Sequence, residues 1–345
     1  MTKNKRLVFI TGGAGFIGSA FVRLLLEKRP SLHIINFDAL TYAGNLDNLV
    51  ELDKSRHRFV RGDITDSEAV LNALPDGCEA IINFAAESHV DRSIASATEF
   101  LNTNILGTHV LLDAARARNV EQFVQVSTDE VMGSLPEDEA AFFTEDSPFA
   151  PNSPYAASKA AAEHLVRAAH HTFGLKTIIT RCGNNYGPRQ FPEKFLPLAI
   201  SNALENKQIP VYGDGRNVRD WIYVDDHCRA ILLAWEKGES GSVYNIGARN
   251  ERRNIEVVTS LLDLLNKPHS LLQFVKDRPG HDRRYAIDPT LIESKLGWRP
   301  QESWEGGLEK TIQWYKENGQ WLERARSGAY KDYYHTQYGT EVAAI

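Results

Sequence analysis

Apolar and polar positions alternate in blocks through the first half of the chain. Short apolar runs bounded by turn residues, at 6–11, 32–37, 58–61, 80–84, 122–127 and 177–180, read as β-strands. Between them, 20–28, 67–74, 99–118 and 153–173 carry apolar residues at helical spacing, and Pro30 stops the first of these. Regular alternation of strand and helix predicts an α/β fold, a doubly wound parallel (Rossmann) sheet with helices on both faces. The second half is less regular and richer in Trp, Gly, Pro and Arg, which suits a smaller C-terminal lobe. From about Tyr330 onward the chain reads as a loosely attached tail.

Composition narrows the function classes. The chain has 345 residues, 42% of them hydrophobic, which is enough core for two lobes. Its 39 basic and 45 acidic residues give a net charge of -6, and no basic block stands out. Nothing therefore draws it to nucleic acid or to an anionic membrane, and an anionic ligand would need a local site. Cys78, Cys182 and Cys228 show no C-x-x-C spacing, so neither a disulfide framework nor a metal site is expected. They read as reduced thiols of a cytoplasmic protein. The N-terminal apolar run is too short for a signal peptide, and no stretch has the length of a membrane span.

The first candidate chemistry follows the first strand. Gly12, Gly15 and Gly18 have the spacing G-x-x-G-x-x-G at the opening of the first helix. Such a turn needs glycine for tightness, for close approach to a pyrophosphate, and for close helix-to-strand packing, while the helix N-terminus offers N–H groups to phosphates. Asp38 ends the second strand about twenty residues later, where a carboxylate bonds ribose hydroxyls and repels a 2′-phosphate. This favours NAD over NADP. Asp63 and Ile64 follow the third strand, and Asp63 suits an adenine contact or a simple turn equally.

Tyr155 and Lys159 form Y-x-x-x-K on the 153–173 helix, with Ser153 placed to cap it and Pro154 in its first turn. One turn apart, they share a face, and the ammonium is expected to ease ionisation of the phenol. Such a tyrosine takes a proton from a hydroxyl while hydride leaves for NAD. Thr128, Asp129 and Glu130 end another strand, at the edge where parallel sheets bind ligands. Two adjacent carboxyl groups, one kept protonated, suit acid–base loss of water beside a ketone.

At these residues the sequence closely resembles dTDP-glucose 4,6-dehydratases, within the extended short-chain dehydrogenase/reductase superfamily. The matching stretches run from TGGAGFIGS at 11–19 and DALTYAGNLDNL at 38–49 through AAESHVDRSI at 85–94, STDEV at 127–131 and YAASKA at 155–160. NNYGP at 184–188, FPEK at 191–194, RDWIYVDDH at 219–227, YNIG at 244–247 and DRPGHDRRYAID at 277–288 continue the likeness. The Thr-Asp-Glu run, ESHVDRS and FPEK are the stretches most specific to dehydratases.

The resemblance implies that Tyr155, assisted by Lys159, deprotonates the C4 hydroxyl of the sugar. Glu130 is then the base at C5, Asp129 the acid at the C6 hydroxyl, and Thr128 a hydrogen-bond partner of the sugar. For NAD it adds Phe16, Ile17, Thr41, Ala86, Thr103 and Asn185. For the nucleotide sugar it implies Ser88, Asn184, Lys194, Phe195, Tyr212, Arg219, Asn254, Arg278 and His281. Arg219 and Arg278 suit the diphosphate, because a guanidinium fork matches phosphate oxygens. The substrate-type motifs flank the strand-like run 221–224, so the chain is expected to cross between its lobes more than once. Residues 1–182 with about 221–247 would hold NAD, 183–220 with about 248–330 the nucleotide sugar, and 331–345 would be tail.

Met132, Gly183 and Arg189 stand where the family usually has Tyr, Ser and an aromatic. A UDP-linked hexose or N-acetylhexosamine is therefore the alternative substrate to dTDP-glucose. A nucleotide-sugar 4-epimerase or a UDP-glucuronate decarboxylase is the rival enzyme, although neither calls for the Asp129–Glu130 pair. A non-catalytic NAD-binding regulator is the rival outside catalysis. Helices 99–118 and 153–173 are apolar or alanine-rich beyond one buried face, and family members pair such helices, so a homodimer is expected.

Overall fold

The computed structural model describes residues 6–137 and 140–326; the expected tail lies outside the described residues. In chain order the strands are β1 (Arg6–Thr11), β2 (Leu32–Asp38), β3 (His57–Arg61), β4 (Ala80–Asn83), β5 (Gln122–Thr128) and β6 (Thr177–Cys182). They continue as β7 (Asn184–Tyr186), β8 (Ile209–Tyr212), β9 (Val218–Tyr223), β10 (Val243–Ile246), β11 (Glu251–Arg253) and β12 (Leu272–Val275). The helices are α1 (Phe16–Lys28), α2 (Ser67–Ala73), α3 (Val90–Ala95), α4 (Thr98–Phe100), α5 (Gly107–Ala117) and α6 (Pro154–Phe173). After them come α7 (Phe195–Leu204), α8 (Val224–Lys237), α9 (Asn254–Leu264), α10 (Thr290–Leu296), α11 (Trp304–Glu317) and α12 (Gly319–Ala325).

Seven strands pair in the order β10-β6-β5-β4-β1-β2-β3, all parallel. Strand β1 shows why. Val8, Phe9 and Ile10 are consecutive and all fully buried, because alternate side chains enter different cores. Val8 and Ile10 pack with Phe21 and Leu25 of α1 and Ile231 of α8. Phe9 packs with Val70 of α2, Leu111 of α5 and Val166 of α6. Each such side chain contributes roughly 1.5–3 kcal/mol of burial. The doubly wound parallel sheet expected from the sequence is thus the fold. The strand order reverses at β1, between β2 and β4, which opens a crevice at the carboxyl edge where the glycine-rich turn lies.

A second core gathers Tyr186, Trp221, Tyr223, Val257, Leu261, Trp304 and Leu308. It lies around a three-stranded sheet, β11-β9-β7, while β8 and β12 pair separately. The chain leaves the large sheet after β6, returns through α8 and β10, and leaves again at β11. The strand-like run at 221–224 belongs to β9 in the small sheet and ends where α8 begins.

Two helices differ from expectation. Helix α1 starts at Phe16 rather than at 20, because Gly18 sits inside it, packed on the backbone of Gly12 and Gly13. The expected helix 99–118 is broken by a π-helical stretch, Leu101–Leu106. The wide turn presents Asn104 to its neighbours: it accepts from Glu87 N at 2.9 Å and donates to Glu87 O at 2.9 Å and Ser158 Oγ at 2.8 Å. No helix among the described residues is long and apolar enough to cross a membrane.

Candidate active site

The glycine-rich turn forms one wall of a cleft at the carboxyl edge of the large sheet, lined by Gly12, Gly15, Phe16, Ile17, Gly18 and Ala86. Gly12 has φ +69°, and a Cβ there would meet Ala85 N at 2.6 Å. At Gly15 a Cβ would meet only Gly12 O, at 3.3 Å, so this side is open. No side chain caps α1, which leaves its first-turn N–H groups for a ligand. Asp38 is buried at the end of β2, where it accepts from Ala14 N at 2.9 Å and Leu40 N at 2.8 Å. Burial raises its pKa, and those two N–H groups oppose the shift. An open glycine cradle, an uncapped helix and a fixed carboxyl group fit the pyrophosphate and ribose of NAD.

Asp38, Thr41, Asp63, Ile64 and Thr103 stand outside the lining of the cleft. Asp63 is exposed and accepts from Thr65 N and Oγ1 at 2.8 Å, a turn-forming role. Ile64 is buried against the site of Gly107. Thr41 is exposed, and Thr103 is half-buried on the π-helical stretch.

Strand β5 delivers Thr128 to the cleft floor, and the turn after it places Asp129 and Glu130. Thr128 Oγ1 accepts from Glu130 N at 3.3 Å. Asp129 is 1% exposed, and its Oδ2 has no hydrogen-bond partner among the described residues. Burial, then the Glu130 charge, push its pKa well up. Burial raises Glu130 too, but Arg278, Arg219 and Lys194 all favour its carboxylate. The surroundings therefore separate the pair, holding Asp129 towards its protonated form more strongly than Glu130.

Helix α6 begins as the sequence predicts, with Ser153 Oγ accepting from Ala156 N at 3.1 Å and Pro154 in the first turn. Tyr155 and Lys159 both line the cleft. Lys159 Nζ donates to Val126 O at 2.7 Å, and burial lowers its pKa to about 8. Burial, then the negative charge of Glu130, push Tyr155 well up, and a hydrogen bond with Thr128 works the other way.

The opposite wall carries Ser88, Asn184, Lys194, Phe195, Tyr212, Arg219, Asn254, Arg278 and His281, so the structure brings together every substrate residue expected from the sequence, and Asn185, expected for NAD, lines the same cleft. Lys194 donates to Ser88 O at 2.6 Å. Arg278 pairs with Asp91 at 3.0 Å, and Tyr212 donates to the same carboxylate at 3.0 Å. His281 Nδ1 meets Asp277 at 2.6 Å, and Asn185 Oδ1 meets His227 Nδ1 at 2.8 Å. Arg219 is 4% exposed and stacks 4.2 Å from the Tyr285 ring centroid. Among the described residues it hydrogen-bonds only carbonyls, of Val218, Asp282 and Arg283. A buried guanidinium without a carboxylate in direct contact suits a diphosphate.

His89, Asp91, Glu193, Trp221 and Tyr285 also line the cleft and were not singled out from the sequence. The signal was present for all five, since His89 and Asp91 lie in ESHVDRS, Glu193 in FPEK, Trp221 in RDWIYVDDH and Tyr285 in DRPGHDRRYAID. Among the described residues no group of three or more His, Cys, Asp or Glu side chains could hold a metal ion.

A family model described as GDP-mannose 4,6 dehydratase matches residues 9–311. The dTDP-glucose 4,6-dehydratase of Shigella flexneri is 47% identical over 359 residues, covering 96% of this chain and 98% of that protein. The chain belongs to the dTDP-glucose 4,6-dehydratase family. Among solved structures, the dTDP-glucose 4,6-dehydratase DesIV of Streptomyces venezuelae, with NAD and TYD bound, superposes with a TM-score of 0.89 at 50% identity. That match covers 92% of this chain and 99% of DesIV. The UDP-glucose 4-epimerase of Thermus thermophilus, in complex with NAD, is similar at 32% identity and a TM-score of 0.83, covering 90% of this chain and 99% of its own.

Of the three positions at which this dTDP-glucose 4,6-dehydratase family member departs from the usual pattern, only Gly183 lines the cleft. A Cβ there would meet Asp220 O at 2.7 Å, so the backbone at this point requires glycine. Met132 is buried behind the catalytic turn, its sulfur 3.7 Å from Arg181 Nη1. Arg189 lies on a separate depression, over the Trp314 ring at 5.4 Å and beside Glu51 at 3.5 Å.

Proposed function

We propose that this enzyme converts dTDP-glucose to dTDP-4-keto-6-deoxyglucose and water, with NAD as a bound cofactor. The observation that carries the reading is the Asp129–Glu130 pair, one carboxyl buried without a partner for Oδ2 and the other facing three cations, beside Tyr155. NAD, held by the glycine turn and Asp38, supplies a reversible hydride acceptor, so the reaction has no net redox change. Tyr155, with Lys159, takes the C4 hydroxyl proton. The C4 ketone acidifies C5, and Glu130 removes that proton. Asp129 protonates the departing C6 hydroxyl, and Thr128 holds the sugar. Arg219, Arg278 and Lys194 fix the nucleotide diphosphate so that the sugar stays in register between the two halves of the reaction.

The division of labour follows the two cores: the carboxyl edge of the large sheet takes the cofactor and the smaller lobe the nucleotide sugar. We further infer a cytoplasmic homodimer. Three buried free cysteines suit a reducing compartment. Exposed Leu101, Leu106 and Phe173, on the 99–118 segment and α6, suit a helix-pairing interface. Light scattering that returns a monomer at micromolar concentration would exclude the dimer.

The decisive experiment offers the purified chain a panel of dTDP- and UDP-hexoses and reads products by mass and NMR. Loss of one water from dTDP-glucose is the expected result. Loss of water only from a UDP sugar moves the substrate, an unchanged mass with an inverted C4 makes the enzyme an epimerase, and tight NAD binding with no product at all makes it a regulator.

A further inference from the structure

In the proposed cycle the cofactor is reduced between the two hydride transfers, and losing it in that state would strand the intermediate. Three segments meet behind the wall of the cleft in a way that bears on this. The loop after Asp38 carries Tyr42, α3 carries Arg92, and the stretch before α7 carries Phe191 and Glu193. The Arg92 guanidinium lies 4.1 Å from the centroid of the Tyr42 ring. Its Nε donates to Glu193 Oε2 at 3.1 Å, and the Glu193 side chain is 1% exposed. The Phe191 ring meets Tyr42 edge-on at 5.7 Å. Neither Tyr42 nor Arg92 lines the cleft, whereas their neighbours Ala43 and Asp91 do.

The same loop is tied at its ends to the glycine turn, through Asp38, which accepts from Ala14 N at 2.9 Å, and through Asn45 N to Ala14 O at 3.1 Å. Its middle has the Arg92–Tyr42 stack as a tether to the substrate side. A guanidinium that stacks on an aromatic face while pairing with a buried carboxylate holds both in one geometry, which an ammonium does not reproduce.

We propose that Tyr42, Arg92 and Glu193 form a clasp that ties the cofactor loop to the FPEK segment and so retains NAD through the catalytic cycle. These are positioning residues, and the inference rests on the proposed reading of the cleft as an NAD site. Breaking the clasp leaves the chemistry in place and shortens the residence of the cofactor.

The test loads the full-length protein with radiolabelled NAD and follows exchange against excess unlabelled NAD. Tyr42→Leu and Arg92→Gln are each expected to speed exchange about tenfold, the effect of one lost charge-assisted or stacking contact. The double variant should exchange no faster than the quicker single one, because both remove the same tether. During prolonged turnover the variants should fade and recover on adding NAD, while the wild type needs none. Arg92→Gln takes one of two cations, Arg92 and Lys194, from buried Glu193 and could misfold, so Tyr42→Leu and the melting temperature of each cofactor-free variant are the controls. Unchanged exchange in Tyr42→Leu overturns the clasp, as does faster exchange matched by a general fall in melting temperature. A wild-type chain that binds no NAD overturns the clasp and the NAD reading together, whereas a wild type that binds it beside variants that exchange normally overturns the clasp alone.

Discussion

The two walls of the cleft are made from different material. On the glycine side the surface offered to a ligand is largely backbone: an uncapped helix start and a turn with φ +69° at Gly12. On the opposite side it is side chains, brought by β7, α7, β8, β9, α9 and the 277–285 segment. A backbone wall is shaped by one contiguous stretch and tolerates almost no change. A side-chain wall is assembled from distant segments, and each member contributes separately. On the proposed reading, the first would recognise what all dinucleotides share, and the second would decide which sugar nucleotide is taken.

That contrast is broken most directly at Gly12. Gly12→Val puts a branched side chain at positive φ against the backbone of Phe84 and Ala85. NAD binding measured by calorimetry should vanish and the melting temperature should fall. Retained binding would mean that the wall is less rigid than its geometry implies. Next, Glu130→Gln should lower turnover by about 10²–10⁴-fold, the usual range for a lost general base. Bound NADH should accumulate in a single turnover of this variant, seen by its absorbance, whereas Tyr155→Phe should suppress NADH formation itself. Equal loss of NADH in both would refute the separation of steps.

A smaller effect is expected at Arg219. Arg219→Lys keeps the charge but loses the planar fork, so KM for the nucleotide sugar should rise about tenfold while NAD affinity stays put. A matching loss of NAD affinity would show that the two walls are not independent. The mildest effect comes from pH. Lys159, with its pKa lowered to about 8, is ammonium below that value and neutral above it. The rate of C4 oxidation should therefore fall as pH rises, to about half at pH 8, the fraction still protonated there. Lys159→Arg should remove this limb from the profile even though its absolute rate is lower.

The same contrast explains what could be read before the structure. The parallel sheet was legible because each buried strand is a continuous apolar run, as at Val8, Phe9 and Ile10. The glycine turn and Asp38 were legible because their spacing is local. Helix α1 began earlier than expected because Gly18, which looks like a helix breaker, is a packing contact inside the helix. The break at Leu101–Leu106 left no mark in the apolar pattern, since its cause is the reach of Asn104 to Glu87 and Ser158. Asp91 and Tyr285 lie inside matched stretches, but nothing in the local pattern says what either one touches. Asp91 holds Arg278 and Tyr212, and the Tyr285 ring lies against Arg219, contacts made across long stretches of sequence.

The order in which the large sheet is completed has a consequence for synthesis. Strands β1 to β6 can pair as soon as they emerge, but the edge strand β10 joins β6, with Val243 opposite Ile179, only after β7, β8 and β9 have been made. Long-range pairings of this kind are slow to nucleate and close late. The glycine turn, Asp129, Glu130 and Tyr155 are thus synthesised before β7 to β12, which bring much of the remaining lining of the cleft. On the proposed NAD reading, cofactor binding to that part of the chain would stabilise the growing sheet, so the supply of NAD would bear on how much of this protein matures.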